Sequence, residues 1–450
     1  MNSSISVQLP NSAANHEAGF HLEPVSFRLR GLLRRFGPLR FFALIVSMMA
    51  IASLWACGGG GGGTIGSIAP FNFYTAVVVA DLNGDSKMDI AACYARVAGA
   101  PPHPGTVVIF IQDPANPGRF LPPATYAVGD DPVSIAVADL NGDGKPDIVA
   151  ANTMLSATGA GSNSVSVLLQ DSSHPGQFLP AASYTSSNII NSVAIGDLNG
   201  DGRPDLAIAD SAGISVLLNN SANPGTFVPG NSVQISGGAG SVAIGDVNGD
   251  SLPDLVVANS VNVQVVLADP SSPGNFWTPV SYQAGQQPIF VALGDLNGDG
   301  KPDLAVADEG SPSGATLFGV HVLLQNSAAP GTFLAPGNYA PSTITNMLAI
   351  ADLNNDGKLD LATANLSGGP TINGSPSGTV SVVLQTPTSP GKFQLQANYP
   401  GTSFVWWVAV GDMNGDGKPD LVTAEGGIVI RFQDPANPGK FLAPIVIAKE

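Results

Sequence analysis

A nine-residue pattern, Asp-x-Asn-x-Asp-x-x-x-Asp, occurs seven times in this 450-residue chain and restricts its fold more tightly than any other feature. The copies begin at Asp81, Asp139, Asp197, Asp246, Asp295, Asp352 and Asp412, so successive starts are 58, 58, 49, 49, 57 and 60 residues apart. A repeat of this period marks an architecture in which each unit is one supersecondary element that buries its apolar faces against its neighbours. A short apolar segment enters each loop, as in Ser134-Ile135-Ala136-Val137-Ala138, and another leaves it, as in Asp254-Leu255-Val256-Val257-Ala258. A third follows, such as Val165-Ser166-Val167-Leu168-Leu169, then a Pro-Gly-x-Phe turn ending at Phe120, Phe178, Phe227, Phe276, Phe333, Phe393 or Phe441. A fourth extended segment reaches a Tyr such as Tyr126, Tyr184 or Tyr282 and leads into the next loop. The pattern predicts an all-β, seven-bladed propeller of four-stranded antiparallel blades over residues 71–450. Pro444-Ile445-Val446-Ile447 supplies the last fourth strand, so the ring can close.

The loop carries the chemistry. Positions 1, 3, 5 and 9 are Asp81, Asn83, Asp85 and Asp89 in the first copy, then Asp139, Asn141, Asp143 and Asp147, and Asp197, Asn199, Asp201 and Asp205. The fourth and fifth copies place Asp246, Asn248, Asp250 and Asp254, and Asp295, Asn297, Asp299 and Asp303. The last two place Asp352, Asn354, Asp356 and Asp360, and Asp412, Asn414, Asp416 and Asp420. Alternating oxygen donors at 1, 3 and 5 converge on one point, and an all-oxygen, carboxylate-rich set selects a hard cation, with calcium favoured over magnesium by the irregular geometry. A single copy would read equally well as a turn former. Seven with identical spacing predict up to seven structural calcium ions. Ser86 and Ser251 replace Gly at position 6 and Asn355 replaces Gly at position 4, so those three loops are expected to be strained. An EF-hand is excluded, because position 12 is Ala92, Ala150, Ile208, Val257, Val306, Thr363 or Thr423 rather than Glu, and Pro at position 8 in five copies opposes an exiting helix.

With these motifs in place, the units resemble the FG-GAP repeats of integrin α-chains and the related bacterial VCBS-type repeats, from about residue 71 to the C-terminus. The resemblance implies a closed propeller, and a family whose members include adhesion receptors, carbohydrate-binding lectins and polysaccharide lyases.

The net charge of −17 excludes nucleic acid as a partner, since phosphate binding requires a basic surface. After residue 57 there are 32 acids against 12 Lys or Arg, and 21 of those acids lie in the seven loops, so seven divalent cations would cancel most of the excess. Residues 1–57 read as a leader. Arg28, Arg30, Arg34, Arg35 and Arg40 precede an uncharged run from Phe41 to Ala56, too short to span a bilayer comfortably. The run ends in Leu54-Trp55-Ala56-Cys57, which resembles a bacterial lipobox with Cys57 as the lipidated residue, and residues 58–70 form a Gly-rich tether. An outer-membrane or cell-surface lipoprotein is therefore expected, touching the membrane only through this segment; a cleaved signal and secretion, or an uncleaved anchor, are the alternatives. Cys93 reads as a buried structural thiol.

Function narrows less. There is no G-x-S-x-G elbow, and His103, His174 and His321 are the only histidines after the leader, so no nucleophile or transition-metal site stands out. Asp130-Asp131 and Asp308-Glu309 read as solvated loop charges rather than acid–base pairs. The connections between second and third strands are long in blades 1, 2, 5 and 6 and short in 3, 4 and 7, on the face opposite the Asp loops. Blade 7 thus reads as a low point, with Trp406 and Trp407 as a possible ligand platform there and Trp277 as packing on the loop face. The leading reading is a non-catalytic, extracytoplasmic binding or adhesion module for a glycan or a cell-surface or extracellular protein. A calcium-dependent polysaccharide lyase or hydrolase is the alternative, and a structural part of a surface assembly the third.

Overall fold

The computed structural model describes residues 71–97, 104–153, 163–310, 319–339, 344–370 and 377–449. The leader, the tether and Cys57 lie outside them, as do the middles of the four long second-to-third connections. Every element among the described residues is a β-strand, in seven antiparallel sheets that follow the chain in order. Blade 1 comprises β1 (Phe71–Ala80), β2 (Asp89–Val97), β3 (Pro104–Phe110) and β4 (Ala124–Asp130). Blade 2 is β5 (Pro132–Ala138), β6 (Asp147–Asn152), β7 (Asn163–Leu168) and β8 (Ala182–Ser186). Blade 3 is β9 (Ile190–Gly196), β10 (Asp205–Asp210) and β11 (Gly213–Asn219), with its outer strand split into β12 (Phe227–Pro229) and β13 (Val233–Gln234). Blade 4 is β14 (Ser241–Gly245), β15 (Asp254–Ala258), β16 (Val263–Val266) and β17 (Val280–Tyr282). Blade 5 is β18 (Pro288–Gly294), β19 (Asp303–Asp308), β20 (Gly319–Leu323) and β21 (Gly337–Tyr339). Blade 6 is β22 (Thr345–Ala351), β23 (Asp360–Asn365), β24 (Thr379–Gln385) and β25 (Phe393–Pro400), and blade 7 is β26 (Trp407–Gly411), β27 (Asp420–Ala424), β28 (Gly427–Arg431) and β29 (Ile445–Lys449).

Burial explains why the strand sequences differ by position. The first strands touch one another in sequence around the axis, β26 against β1 included. Second strands are sandwiched between neighbouring blades, so β6 and β10 are buried at every residue and read as continuous apolar runs. Fourth strands form the outer edge and expose alternate residues, as in β8. The core lies between blades. Val149 and Val167 of blade 2 pack with Leu206 and Ile208 of blade 3, and Tyr74 and Ile90 of blade 1 pack with Val422 and Ile428 of blade 7. Because β29 pairs with β28 of its own blade, the ring closes by face packing, without a strand exchanged between the chain ends. Cys93 is buried as expected.

The Pro-Gly-x-Phe turns stitch the units together. Each turn is laid on the Asp loop of the preceding blade: a Cβ built on Gly176 would lie 3.1 Å from Cβ of Asn83 and from Cδ1 of Ile111, and one on Gly225 would lie 3.1 Å from Cβ of Asn141. In five blades the Tyr of the fourth strand meets the Phe of the next turn, with Tyr126 edge to face on Phe178 at 5.6 Å and Tyr184 on Phe227 at 5.7 Å. The Tyr hydroxyl also accepts the Phe amide, at 3.2 and 3.1 Å in those two pairs.

Gly176 combines this close approach with a φ of 78°. Gly176→Ala is expected to destabilise the ring by about 1–3 kcal/mol through strain and overpacking, read as a lower melting midpoint with an unchanged strand signature in circular dichroism. A neutral result would mean that the turn does not bear on the neighbouring loop.

Candidate metal centres and the two faces of the ring

Each Asp loop joins the first and second strands of a blade, and its turns are set by its own side chains. Oδ1 of Asp139 accepts the amides of Gly142 at 2.7 Å and Asp143 at 3.1 Å, and Oδ2 accepts that of Gly144 at 2.8 Å. Asn141 Oδ1 accepts the Asp143 amide at 2.9 Å, and Asp143 Oδ1 accepts the Lys145 amide at 3.0 Å. These Asx turns recur in every copy. The expected strain sits where the sequence places it: Ser86, Ser251 and Asn355 have φ of 65°, 69° and 58°. At the glycines that fill the same places elsewhere, such as Gly142 and Gly144, a Cβ would meet nothing within 4 Å, so the constraint is conformational rather than steric. In the sixth loop, the amides given to Asp352 come from Asp356 and Gly357 alone.

The acid at position 9 stands apart. Asp147 is fully buried; its Oδ2 accepts the Leu140 amide at 2.9 Å and its Oδ1 the Gln170 amide at 2.7 Å, which ties the loop to the end of the third strand. The same pair of bonds is made by Asp89, Asp205, Asp254, Asp303, Asp360 and Asp420. Burial pushes these carboxyls up, to about 6 for Asp147 and about 7 for Asp360, against the pull of the two amides and with added repulsion from the acids at positions 5 and 1. In donor chemistry the loops fit a hard cation, since all four side-chain donors are oxygens and each buried carboxyl is held against two like charges that an ion would neutralise. The oxygens are engaged by amides, however, and among the described residues no group of three or more His, Cys, Asp or Glu side chains is arranged to hold a metal ion.

An interblade clamp is superimposed on this staple, and the sequence reading missed it. The residue whose amide bonds the position 9 acid carries a carboxamide at six of seven blades. Gln170 Nε2 donates to the Leu82 carbonyl of blade 1 at 2.8 Å and to Pro146 of its own loop at 3.1 Å. Gln112 reaches Met413, closing the ring, and Asn219, Gln325, Gln385 and Gln433 reach Leu140, Val247, Leu296 and Leu353. Blade 4 has Ala268 at this place.

The opposite face is pinned by a second recurring set of buried polar residues at the ends of second strands. Asn152 bonds Ser164 and Ser166, Asp210 caps Ala212 and Gly213, and Asn365 bonds Thr379 and Ser381. Asp308, expected to be solvated, is instead fully buried: it accepts the Gln286, Gln287 and Gly310 amides and faces His321 Nε2 at 3.3 Å. Burial raises its carboxyl, but His321 and those amides outweigh burial and hold it below the usual range. Glu309 beside it is pushed up to about 7 by burial and by Asp308. In blade 7, Glu425 pairs with buried Arg431 at 2.7 Å and also binds Thr402 and Thr423.

The tryptophans exchange the roles expected of them. Trp406 is 8% exposed, with its ring 5.9 Å from that of Phe73 and 6.2 Å from that of Phe404, so it offers no open face. Trp407 is half-buried and reaches the axis: it packs with the cores on either side of blade 1 and meets Phe290 of blade 5 edge to face at 6.0 Å. Trp277, expected to be packing, is 51% exposed. A pleated strand at a blade boundary turns one residue of an adjacent pair into the neighbouring core and the other toward the axis, which accounts for Trp406 and Trp407.

Two outcomes follow. A carboxyl raised by folding contributes stability below its unfolded value that is lost as pH rises through the folded one. Metal-free protein should therefore melt lower at pH 7 than at pH 5, because six of the position 9 acids move from 3.8 to about 6 on folding and Asp360 to about 7; the opposite order in metal-free melts would show that these acids fold as stabilised anions. Gln170→Ala should cost about 1–3 kcal/mol by stranding two carbonyls, and Ala268→Gln should add about 0.5–1.5 kcal/mol, both read from denaturant midpoints.

The comparisons agree with the architecture. The FG-GAP-like repeat family matches residues 97–150, 154–208, 197–257, 246–306, 295–363 and 368–423, and the FG-GAP repeat matches residues 348–383. None of the curated proteins matches the sequence. Among solved structures, a lectin of Agrocybe aegerita that recognises non-reducing terminal N-acetylglucosamine is similar at 19% identity and a TM-score of 0.52, over 76% of this chain and 88% of that one. A putative 6-phosphogluconolactonase from Bacteroides uniformis is similar at 13% identity and a TM-score of 0.50, over 84% of this chain and 96% of that one. Rhamnogalacturonan lyase YesW has 16% identity and a TM-score of 0.47, over 81% and 72%. At these identities the likeness concerns the fold alone. The repeat matches span well over half of the sequence, and the chain belongs to the FG-GAP repeat family as a seven-bladed β-propeller.

Proposed function

We propose that the chain is a non-catalytic, calcium-stabilised extracytoplasmic module that binds a carbohydrate or protein ligand on the face opposite the Asp loops. The observation that carries this reading is the division of labour between the faces. On the loop face, side chains are spent on Asx turns, the position 9 staple and the interblade clamp, with nearly the same residues in each blade. Across the ring, the second-to-third connections differ in length and in the residues that pin them, and variable loops on a rigid scaffold are where recognition resides.

Calcium would be held by the acids and Asn at positions 1, 3, 5 and 9, for example Asp139, Asn141, Asp143 and Asp147, where its charge would offset the mutual repulsion of three carboxylates. Its part would be to brace the ring rather than to act on a ligand. Attachment to a cell surface through lipidated Cys57 rests on the leader sequence, and secretion after cleavage would deliver the same module.

Two of the acids outside the loops support a binding role over catalysis. Asp308 and Glu425 are committed to buried hydrogen bonds, so neither is available to a substrate. Binding of an ion to the folded chain alone stabilises it by about 2.7 kcal/mol per site at a hundredfold excess over Kd. The melting midpoint should thus rise with free calcium and fall in chelator; an unchanged midpoint sinks the calcium reading. Incubation with pectic and other acidic polysaccharides should release no unsaturated sugar, and its release would overturn the non-catalytic reading.

A further inference from the structure

Blade junctions repeat one another closely, and the one between blades 3 and 4 departs from the pattern most. Three departures meet there. Ala268 removes the carboxamide clamp that the other six junctions have. The split outer strand of blade 3 brings no Tyr onto Phe276, which, like Phe120 at the junction of blades 7 and 1, is half-buried where Phe178 and Phe227 are 6% exposed. A Cβ on Gly274 would approach only Asn199, at 3.4 Å, whereas Gly176 and Gly225 would also meet a side chain from the preceding third strand. The next residue, Trp277, is 51% exposed where other blades place Leu121, Leu179, Leu334 or Leu442. Asp269 opens the same turn, its amide donating to the Asn275 carbonyl at 2.9 Å. Beside it, Asn231 of blade 3 donates to Asn275 of blade 4 across the seam at 2.7 Å, and Asn275 donates to Ser272 at 2.6 Å.

We propose that this seam is a binding site for a neutral saccharide, with Trp277 as the stacking platform and the Asn231, Asn275 and Asp269 side chains as partners for its hydroxyls. An indole face covers the C–H side of a pyranose ring, and amides and a carboxylate satisfy the hydroxyls at its rim. Charge selects the class. The neighbouring loop has Leu252 where the others have Lys or Arg, so the blade 4 side of the seam offers no cation to an acidic sugar, and Arg203 of blade 3 is partnered by Asp201 at 3.4 Å. Size argues against a protein ligand. Trp277 and Val280 are the exposed large apolar residues at the seam, far less than the core of a stable protein interface. The site rests on the reading of the chain as a binding module, but not on the face proposed for that module's ligand.

The test is an array of neutral, N-acetylated and uronic-acid oligosaccharides probed with wild-type protein and with Trp277→Leu. Leucine occupies the same place in four other blades, so the variant should fold, and its melting midpoint verifies this. Wild type should bind neutral or N-acetylated oligosaccharides, with a change in tryptophan fluorescence on titration, and the variant should bind about tenfold more weakly or less. Neutral-sugar binding that the variant retains within twofold would overturn the seam while leaving a saccharide-binding module in place. Wild-type binding to uronic-acid sugars alone, or to no sugar, would overturn the saccharide assignment itself. So would a protein partner whose capture depends on Trp277.

Discussion

Seven carboxylates that solvent does not reach hold this ring in register. Each position 9 acid accepts one amide from its own loop and one from the end of the third strand, so it fixes how the first three strands of a blade meet. The amide it accepts from the third strand belongs, in six blades, to the residue whose side chain grips the preceding blade. Staple and clamp are therefore parts of one chain of bonds that runs round the ring and is broken at Ala268. A buried carboxyl satisfied by amides is stable only while both donors stay in place, since an unpaired charge there would cost several kcal/mol. Movement of one loop is thus felt first by its own third strand and then by the preceding blade, the nearest-neighbour coupling expected of repeat architectures.

The same acids explain why an ion on the loops and the protein's acidity belong together. Burial and the two neighbouring acids both disfavour their charged form, and the amides only partly compensate. A divalent ion in the loop would convert that repulsion into attraction, whereas protonation would remove it at the cost of the ligands. Pairing all seven loops with ions would leave the surface much less acidic than the sequence alone indicates, and it would do so on one face only.

Blade number, strand order, the closing strand and the two faces were legible in the sequence because they depend on period and spacing, which survive without knowledge of register. What could not be read depends on register. An amide at a strand end looks like turn polarity until Gln170 is seen lying against Leu82 of another blade. Its repetition at Gln112, Asn219, Gln325, Gln385 and Gln433 was the available signal. Asp308 looked solvated because it precedes a long connection, yet it ends a second strand, the most deeply buried position in a blade. Exposure of tryptophan failed for a related reason: Trp406 and Trp407 enter an inner strand, where one ring is buried and the other half-buried, and Trp277 sits on the outer rim.

Regularity gives the exceptions their meaning. A ring of similar units closes only if the junction angles sum correctly, and the shared turn, the clamp at six junctions and the aromatic pair at five secure this. A junction that omits a clamp loses stability, as does one that leaves a tryptophan half in water, so isolated lapses of this kind would be scattered if they were neutral drift. In this chain the missing clamp, the loose turn and the exposed Trp277 coincide at one seam, and the bonds around them are intact: Asp254 still holds Val247 and Ala268, and Asp205 still holds Leu198 and Asn219. The blades on either side keep their internal staples, so the opening is confined to the rim between them. A rigid scaffold with one locally relaxed contact surface is what a recognition site requires.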